Sequence, residues 1–167
     1  MISDYDETYG YAGFEYRELS FQLQKFIPFE SWAEKEAYPI IHTLCIEELM
    51  DFEYKVNFGI GLNSRKKFTE YHSKHDSNGY RSWSFDVNIG DQCPKYRVDF
   101  RVTNGKNKLI IEIDGDKHHK NQSLQDRRDL YFQNVQNTDV LHIPASKSSN
   151  SVFIKSEIMT YFTNHKL

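Results

Sequence analysis

Arg97-Val98-Asp99-Phe100 and the later run KLIIEIDGDKHH, residues 108–119, decide the fold of this chain. Residues 97–102 alternate charged and apolar side chains, which predicts a β-strand that carries Asp99. Asn104-Gly105 predicts a hairpin turn, because Gly accepts a positive φ without strain and Asn nearly does. The apolar, β-branched run 109–113 predicts a second strand that is central and buried.

Acidic and titratable side chains lie at the end of this second strand. Glu112 falls within it, Asp114 ends it, Gly115 turns the chain, and His118 and His119 follow. An ionised carboxylate in an apolar strand is costly unless it is paired or binds a cation. The cluster therefore predicts a site for a hard divalent cation with a proton carrier beside it. The competing interpretation is structural: Glu112 pairs with a buried arginine, and the histidines belong to a solvated loop.

Composition bounds the class of protein. The chain has 167 residues, enough for one domain with a core, and its aromatic content of 15% suggests a core filled by rings. The formal net charge of -3 gives no global positive field, although a local basic face can still bind phosphates. Two cysteines, Cys45 and Cys93, lack CxxC spacing and suit a reducing compartment. With no signal peptide and no apolar run of about 18 residues, we expect a cytoplasmic protein that does not enter a membrane.

Two parts follow from the order of patterns. Residues 1–30 are acidic and aromatic, with a helix predicted over 15–26, and form an extension that packs on the domain or binds a partner. Residues 31–167 form a single domain. Its first helix is predicted over about 31–52, where Ser31 and Glu34 have capping-box spacing. Pro39 leaves two possibilities: a kinked helix from Ser31, or a new helix that begins at Pro39.

The remaining patterns predict a strand over 53–60, a strand over 83–89, a helix over 124–135, a strand over 139–144 and a helix over 152–162. Residues 61–82 are polar and basic with aromatic residues between, which predicts a long loop of the kind that follows a nucleic-acid backbone. His72 and His75 in this segment lack cysteine partners, so a metal site there is not favoured. The fold class predicted is α/β: a three-layer sandwich with a central mixed sheet flanked by helices.

Four segments resemble the PD-(D/E)XK nuclease core, and within it the very-short-patch-repair (Vsr-like) and EDxHD homing endonucleases. Residues 97–100 resemble the strand with the metal-binding Asp, and residues 113–119 the strand-Gly-loop-His element. Asp126-Arg127-Arg128-Asp129 is similar to the start of the following helix, and residues 139–143 to the last core strand. The resemblance covers residues 95–160, while residues 31–60 match only in helix-then-strand order.

The resemblance implies a restriction-endonuclease-like core that cleaves DNA with Mg²⁺, or Mn²⁺. It makes Asp99, Glu112 and the carbonyl of Ile113 the metal ligands and His118 or His119 the general base. Asp126 would orient that histidine or bind a second ion. The phosphate-binding residues would be Lys117, Lys120, Arg127 and Arg128.

Two positions stay open within this resemblance. Asp114 stands where the superfamily usually has a lysine, so its role is undefined. The family's first-helix acid is Glu34, with Glu36 close to it; His42 or Glu47 replaces them if the helix begins at Pro39. We expect DNA as partner, and either a homodimer or a second protein that supplies specificity. The alternative function is a nuclease fold that binds nucleic acid or a protein without catalysis.

Overall fold

The computed structural model describes residues 27–58, 68–88, 95–115 and 122–165. Three helices and six strands follow one another in these ranges, with a short 3₁₀ turn after the last strand. In chain order they are α1 (Trp32–Glu47), β1 (Asp51–Phe58), β2 (Phe68–His75), β3 (Arg81–Asn88), β4 (Tyr96–Asn104), β5 (Asn107–Asp114), α2 (Gln122–Val135), β6 (Asp139–Pro144) and α3 (Ser151–Asn164).

The six strands form one mixed sheet in the order β3-β2-β1-β4-β5-β6. All neighbours are antiparallel except β5 and β6, which are parallel and are connected through α2. Helices α1 and α3 pack on one core cluster, and Phe132 of α2 packs in the other. The predicted α/β fold with a central mixed sheet and flanking helices is confirmed.

β5 is an apolar strand in the interior of the sheet, between β4 and β6. Leu109, Ile110 and Ile111 are each at most 1% exposed, and Ile110 faces the opposite core cluster from its two neighbours. Burial of one such side chain contributes about 1.5–3 kcal/mol. The predicted burial of this strand is therefore confirmed, and it lies inside the sheet rather than at its edge. Gly105, with φ +63°, makes the predicted hairpin turn.

Helix α1 begins after Ser31 and continues through Pro39. The Ser31 Oγ accepts a hydrogen bond from the Glu34 N–H at 3.1 Å, so the cap lies where the sequence predicts it. A proline inside a helix costs about 3 kcal/mol. Complete burial of Ala37 and Ile41 near it offsets that cost. The predicted end at residue 52 is wrong, because the helix stops at Glu47.

The prediction of a loop over 61–82 is wrong for the part that the structure describes. Residues 68–75 form β2, which pairs with β1 and β3, and β3 already begins at Arg81. Arg81 is buried, not a basic loop residue: its guanidinium donates to the carbonyls of Cys45 and Met50 at the end of α1. Polar contacts bury this segment, so hydrophobic periodicity does not reveal it.

The other predicted element boundaries lie within two residues of the observed ones, and the strand over 139–144 agrees at both ends. The predicted N-terminal helix over 15–26 lies outside the described residues. Within the described ranges, no helix has both the length and the apolar character needed to cross a membrane.

Candidate active site where strands β4 and β5 separate

Strands β4 and β5 pair from the hairpin turn as far as Phe100 and Ile111 and then separate. Beyond that point the Ile113 N–H donates to Asp99 Oδ2 at 2.9 Å, so a side-chain carboxylate takes the place of a strand carbonyl. A pocket of about 400 Å³ opens there, and Asp99 and Glu112 both line it. Local strand geometry thus places both predicted acids at one cavity.

Lys55 of β1 reaches the same pocket through a distortion of its strand. Its φ is +58°, a left-handed conformation that costs a non-glycine residue about 1–2 kcal/mol. Tyr54 before it packs in one core cluster and Val56 after it in the other, so the strand changes face at this residue. The Lys55 Nζ lies 2.9 Å from Asp99 Oδ1.

Helix α1 adds a third acid to the pocket. The Lys55 Nζ lies 2.7 Å from Glu34 Oε1 and 3.0 Å from Oε2 of Glu30, which is more exposed. The Tyr54 hydroxyl donates to Glu34 Oε1 at 3.0 Å, and the Ser31 hydroxyl donates to Oε2 at 2.7 Å. The N-cap therefore fixes the direction of the Glu34 carboxylate.

Arg128 of α2 closes the other side. Its Nη2 pairs with Glu112 Oε1 and also donates to the Arg97 carbonyl at 3.0 Å. The structural interpretation, a pair between Glu112 and an arginine, thus describes a contact that is present. It does not seal the site, because both residues line the open pocket. We call Glu34, Lys55, Asp99, Glu112 and Arg128 the pocket cluster.

The acids of the pocket cluster differ in proton affinity. Burial and the charge of Asp99 raise the pKa of Glu112 well above its usual value, and Arg128 only partly opposes them. Burial also raises the pKa of Glu34, followed by the charge of Asp99. For Asp99 the penalty of burial is outweighed by Lys55 and by hydrogen bonds, so its pKa is lowered. Asp99 is therefore the stronger acid of this pair and Glu112 the weaker.

Asp114, the residue of undefined role, lies at the edge of this pocket. Its Oδ2 is 2.8 Å from His142 Nδ1, and His142 Nε2 is 2.6 Å from Asp129 Oδ2. Hydrogen bonding to Asp114 is the largest of the effects that raise the pKa of His142 to about 9. Asp114 therefore belongs to a carboxylate–imidazole–carboxylate chain that links β5, β6 and α2.

Helix α2 presents only part of its predicted motif to the pocket. Gln125 and Arg128, three residues apart and so on one helix face, line it. Asp126 and Arg127 are exposed. The remaining predicted residues of this region, Lys117, His118, His119 and Lys120, lie outside the described residues.

The four candidates for the functional residue of α1 differ in whether they reach the pocket. Because the helix begins at Trp32, the condition that would replace Glu34 does not arise. Glu36 does not line the pocket, and Glu47 is exposed near the far end of the helix. His42 is fully buried, which lowers its pKa to about 3, and its Nε2 lies 2.9 Å from Ser73 Oγ.

Sequence patterns missed Lys55. Strand alternation over 53–58 predicts Tyr54, Val56 and Phe58 inward and Lys55 on the opposite side. The left-handed φ that turns Lys55 toward Asp99 leaves no trace in residue types. The nearest signal is a lone lysine between aromatic and apolar neighbours in a strand, where a buried charge needs a partner.

Comparisons of the chain with protein-family models, with curated proteins and with solved structures gave no match. The fold and the pocket therefore define the class: an α/β protein with a cluster of buried acids and cations where two central strands separate.

Proposed function

We propose that the protein is a metal-dependent DNA endonuclease whose site is the pocket cluster. The observation that carries this proposal is the convergence of Asp99, Glu112 and Glu34 on one open pocket with Lys55 among them. Acids from a helix and two neighbouring strands, with a cation between them, are suited to phosphodiester hydrolysis, which requires charge neutralisation at the phosphate.

The order of elements supports the same proposal. The elements follow the order that the nuclease resemblance implies. They are a helix with Glu34, a strand, a strand with Asp99, a strand with Glu112, a helix and a parallel last strand. The hairpin of β2 and β3 is inserted between the first two of these strands and pairs at the outer edge of the sheet. It leaves the arrangement of β1, β4, β5 and β6 intact.

The donor set of the pocket fits Mg²⁺ or Mn²⁺. Asp99, Glu112 and the carbonyl of Ile113 would hold the ion, and all three offer the oxygen ligands that these ions prefer. Burial and then the charge of Asp99 raise the pKa of Glu112, and the positive charge of a bound dication would lower it. Glu112 Oε1 is also buried, and its contact with a polar group is the ion pair with Arg128. When bound, the ion would polarise the phosphate and acidify a water molecule.

The residues of this chain would bind and orient the substrate. Lys55 is held by three carboxylates and provides a fixed positive charge at the pocket wall. Arg128 would release Glu112 and turn to a phosphate oxygen, which its guanidinium contacts well. His118 or His119 would take the proton of the attacking water, and Asp126 would orient that histidine. Arg127, Lys117 and Lys120 would contact neighbouring phosphates.

The test is nicking of supercoiled plasmid by the full chain with Mg²⁺ or Mn²⁺. Asp99→Asn keeps the shape of the side chain but removes a metal-binding charge, so activity should fall by at least about 100-fold. Glu112→Gln should give a similar loss. Glu48→Gln, an exposed acid at the end of α1, is the matched control and should keep full activity. Nicking by Asp99→Asn at the wild-type rate would exclude this site.

A second candidate is favoured by one observation: the pocket acids already have partners within the chain. Lys55 pairs with Asp99, and Arg128 pairs with Glu112. In that case the protein keeps a nuclease-like fold and binds nucleic acid or a protein without cleavage. DNA binding without metal affinity in calorimetry, together with no nicking by the wild type, would select this candidate.

The proposed function extends to the cellular location of the protein and to its partners. Cys45 is a buried free thiol, which suits a reducing compartment, and we assign a DNA-cutting activity to the cytoplasm. Specificity would come from a homodimer or from a partner protein. Sedimentation of the protein with and without DNA tests the first of these.

A further inference from the structure

A second group of acids and a histidine lies on β1, β2 and β3, away from the pocket cluster. In the cross-strand register Glu53 faces His72, and Glu70 faces Asp86. Two carboxylates directly opposite each other on neighbouring strands destabilise a sheet unless a cation lies between them. We call Glu53, Glu70, His72 and Asp86 the edge cluster, because β3 is the outermost strand.

His72 is the centre of the edge cluster. It is only 9% exposed, and neither of its ring nitrogens makes a well-formed hydrogen bond. The Nε2 atom lies 3.3 Å from Glu70 Oε1 and 3.3 Å from Asp86 Oδ2, and the Nδ1 atom lies 2.7 Å from Glu53 Oε2. A buried imidazole nitrogen thus points between two carboxylate oxygens without satisfying either.

The neighbours hold two of these acids in place. Arg101 Nε and Nη2 lie 2.7 Å and 2.6 Å from Glu53 Oε1, which leaves Oε2 for the histidine. The Asn57 N–H donates to Glu70 Oε2 at 2.6 Å, which leaves Oε1 toward His72. A metal-bound histidine commonly has its other ring nitrogen on a carboxylate, which is the place that Glu53 occupies.

The spacing fits a small metal ion. Within the described part of the chain, Glu70, His72 and Asp86 are the one set of three whose ligand atoms lie within 4.8 Å of one another. Ligands about 2.1 Å from a Zn²⁺ ion are roughly 3.4 Å apart in a tetrahedron and roughly 3.0 Å apart in an octahedron. The two separations of 3.3 Å fall between these values.

We propose that Glu70, His72 and Asp86 bind a divalent transition-metal ion of the Zn²⁺ type, and that this ion fastens edge strand β3 to β2. An imidazole ligand selects such ions over Mg²⁺ and Ca²⁺, which prefer oxygen ligands alone. Three protein ligands leave at least one position for water. The side chain of Asp86 is 77% exposed, so an ion can reach it from solvent. Binding the ion would add a contact between β3 and β2.

The first experiment is calorimetric titration of the metal-stripped full chain with ZnCl₂. We expect one Zn²⁺ per chain and weaker binding by at least about tenfold in Asp86→Asn. Glu48→Gln should bind as the wild type does. Repeating the titration in an Asp99→Asn/Glu112→Gln background separates this site from the pocket cluster, and binding should persist there. No binding by the wild type, equal binding by Asp86→Asn, or loss with the pocket variants would overturn the site.

Amide hydrogen exchange tests the fastening role. Zn²⁺ should slow exchange at the backbone N–H groups of β2 and β3 in the wild type but not in Asp86→Asn. MgCl₂ at the same concentration should have no such effect. Zn²⁺ binding that leaves the exchange of β3 unchanged would overturn the role of the ion in holding the strand.

Discussion

The pocket cluster and the edge cluster each gather acids around a buried cation, but the cations differ. The pocket cluster contains the cations Lys55 and Arg128, whereas the edge cluster is built around the imidazole of His72. Burial also differs, since Asp99 and Glu112 are less than 10% exposed and Asp86 is mostly exposed. In our proposals the pocket cluster offers oxygen ligands to Mg²⁺ beside a lysine and an arginine, whereas the edge cluster offers an imidazole and carboxylates to a transition-metal ion.

One distortion serves both clusters. Pairing between β1 and β2 runs from Phe52 to Tyr54 and then stops, directly before the left-handed Lys55. On one side, the distortion directs Lys55 to Asp99. On the side of β2, it leaves the Asn57 N–H without a strand partner, and this N–H donates a hydrogen bond to the Glu70 carboxylate. The strain at one residue therefore positions a functional group in each cluster.

The largest expected effect comes from removal of the pocket cation. Lys55→Met leaves Asp99 and Glu34 without their buried partner, so the free energy of unfolding at pH 7 should fall by about 3–5 kcal/mol. Urea denaturation measures this. Lys74→Met replaces an exposed lysine on β2 and should change stability by less than about 0.5 kcal/mol. Equal stabilities of the two variants would mean that the pocket charges are solvated.

An intermediate effect on stability is expected at the chain of Asp114, His142 and Asp129, whose central imidazole can lose its proton. Asp114 and Asp129 raise the pKa of His142 to about 9 from its usual 6.5. A raised histidine pKa gives stability that is complete below pH 6.5 and is lost as pH rises toward 9. In EDTA, stability should therefore fall by roughly 2 kcal/mol over this range because of His142.

His142→Gln should remove that part of the alkaline fall, as followed by urea unfolding at pH 6 and at pH 9.5. His165→Gln, at an exposed histidine after α3, should keep the wild-type profile. A profile of His142→Gln that parallels the wild type would show that the imidazole holds no extra proton between its two carboxylates.

The smallest effect belongs to the exposed member of the edge cluster. Without metal, Asp86→Asn removes a largely solvated ion pair, so stability should change by no more than about 0.5 kcal/mol. Chemical denaturation in EDTA provides the measurement. A loss of several kcal/mol in EDTA would mean that Asp86 supports the edge strand by itself and would erase the contrast with Lys55.

The sequence by itself determined the elements whose burial is apolar. The β-branched run 109–113, the Asn104-Gly105 turn and the strand over 139–144 follow from local periodicity and turn chemistry, and the mixed α/β sheet follows from their order. Glu112 could also be predicted, because an acid in an apolar strand is costly without a partner, whereas Asp99 was predicted from the resemblance to the nuclease core. Strand β2 could not be predicted in this way, because its burial comes from ion contacts and strand pairing.

Only the tertiary structure decided how the charges meet. Residue types do not encode the left-handed φ of Lys55, the face of α2 that places Arg128 on Glu112, or the register that sets Glu70 opposite Asp86. Each depends on contacts between residues far apart in the chain. Local propensity acts over a few residues, whereas charge pairing acts across the folded sheet, and this difference separates what could be predicted from what could not.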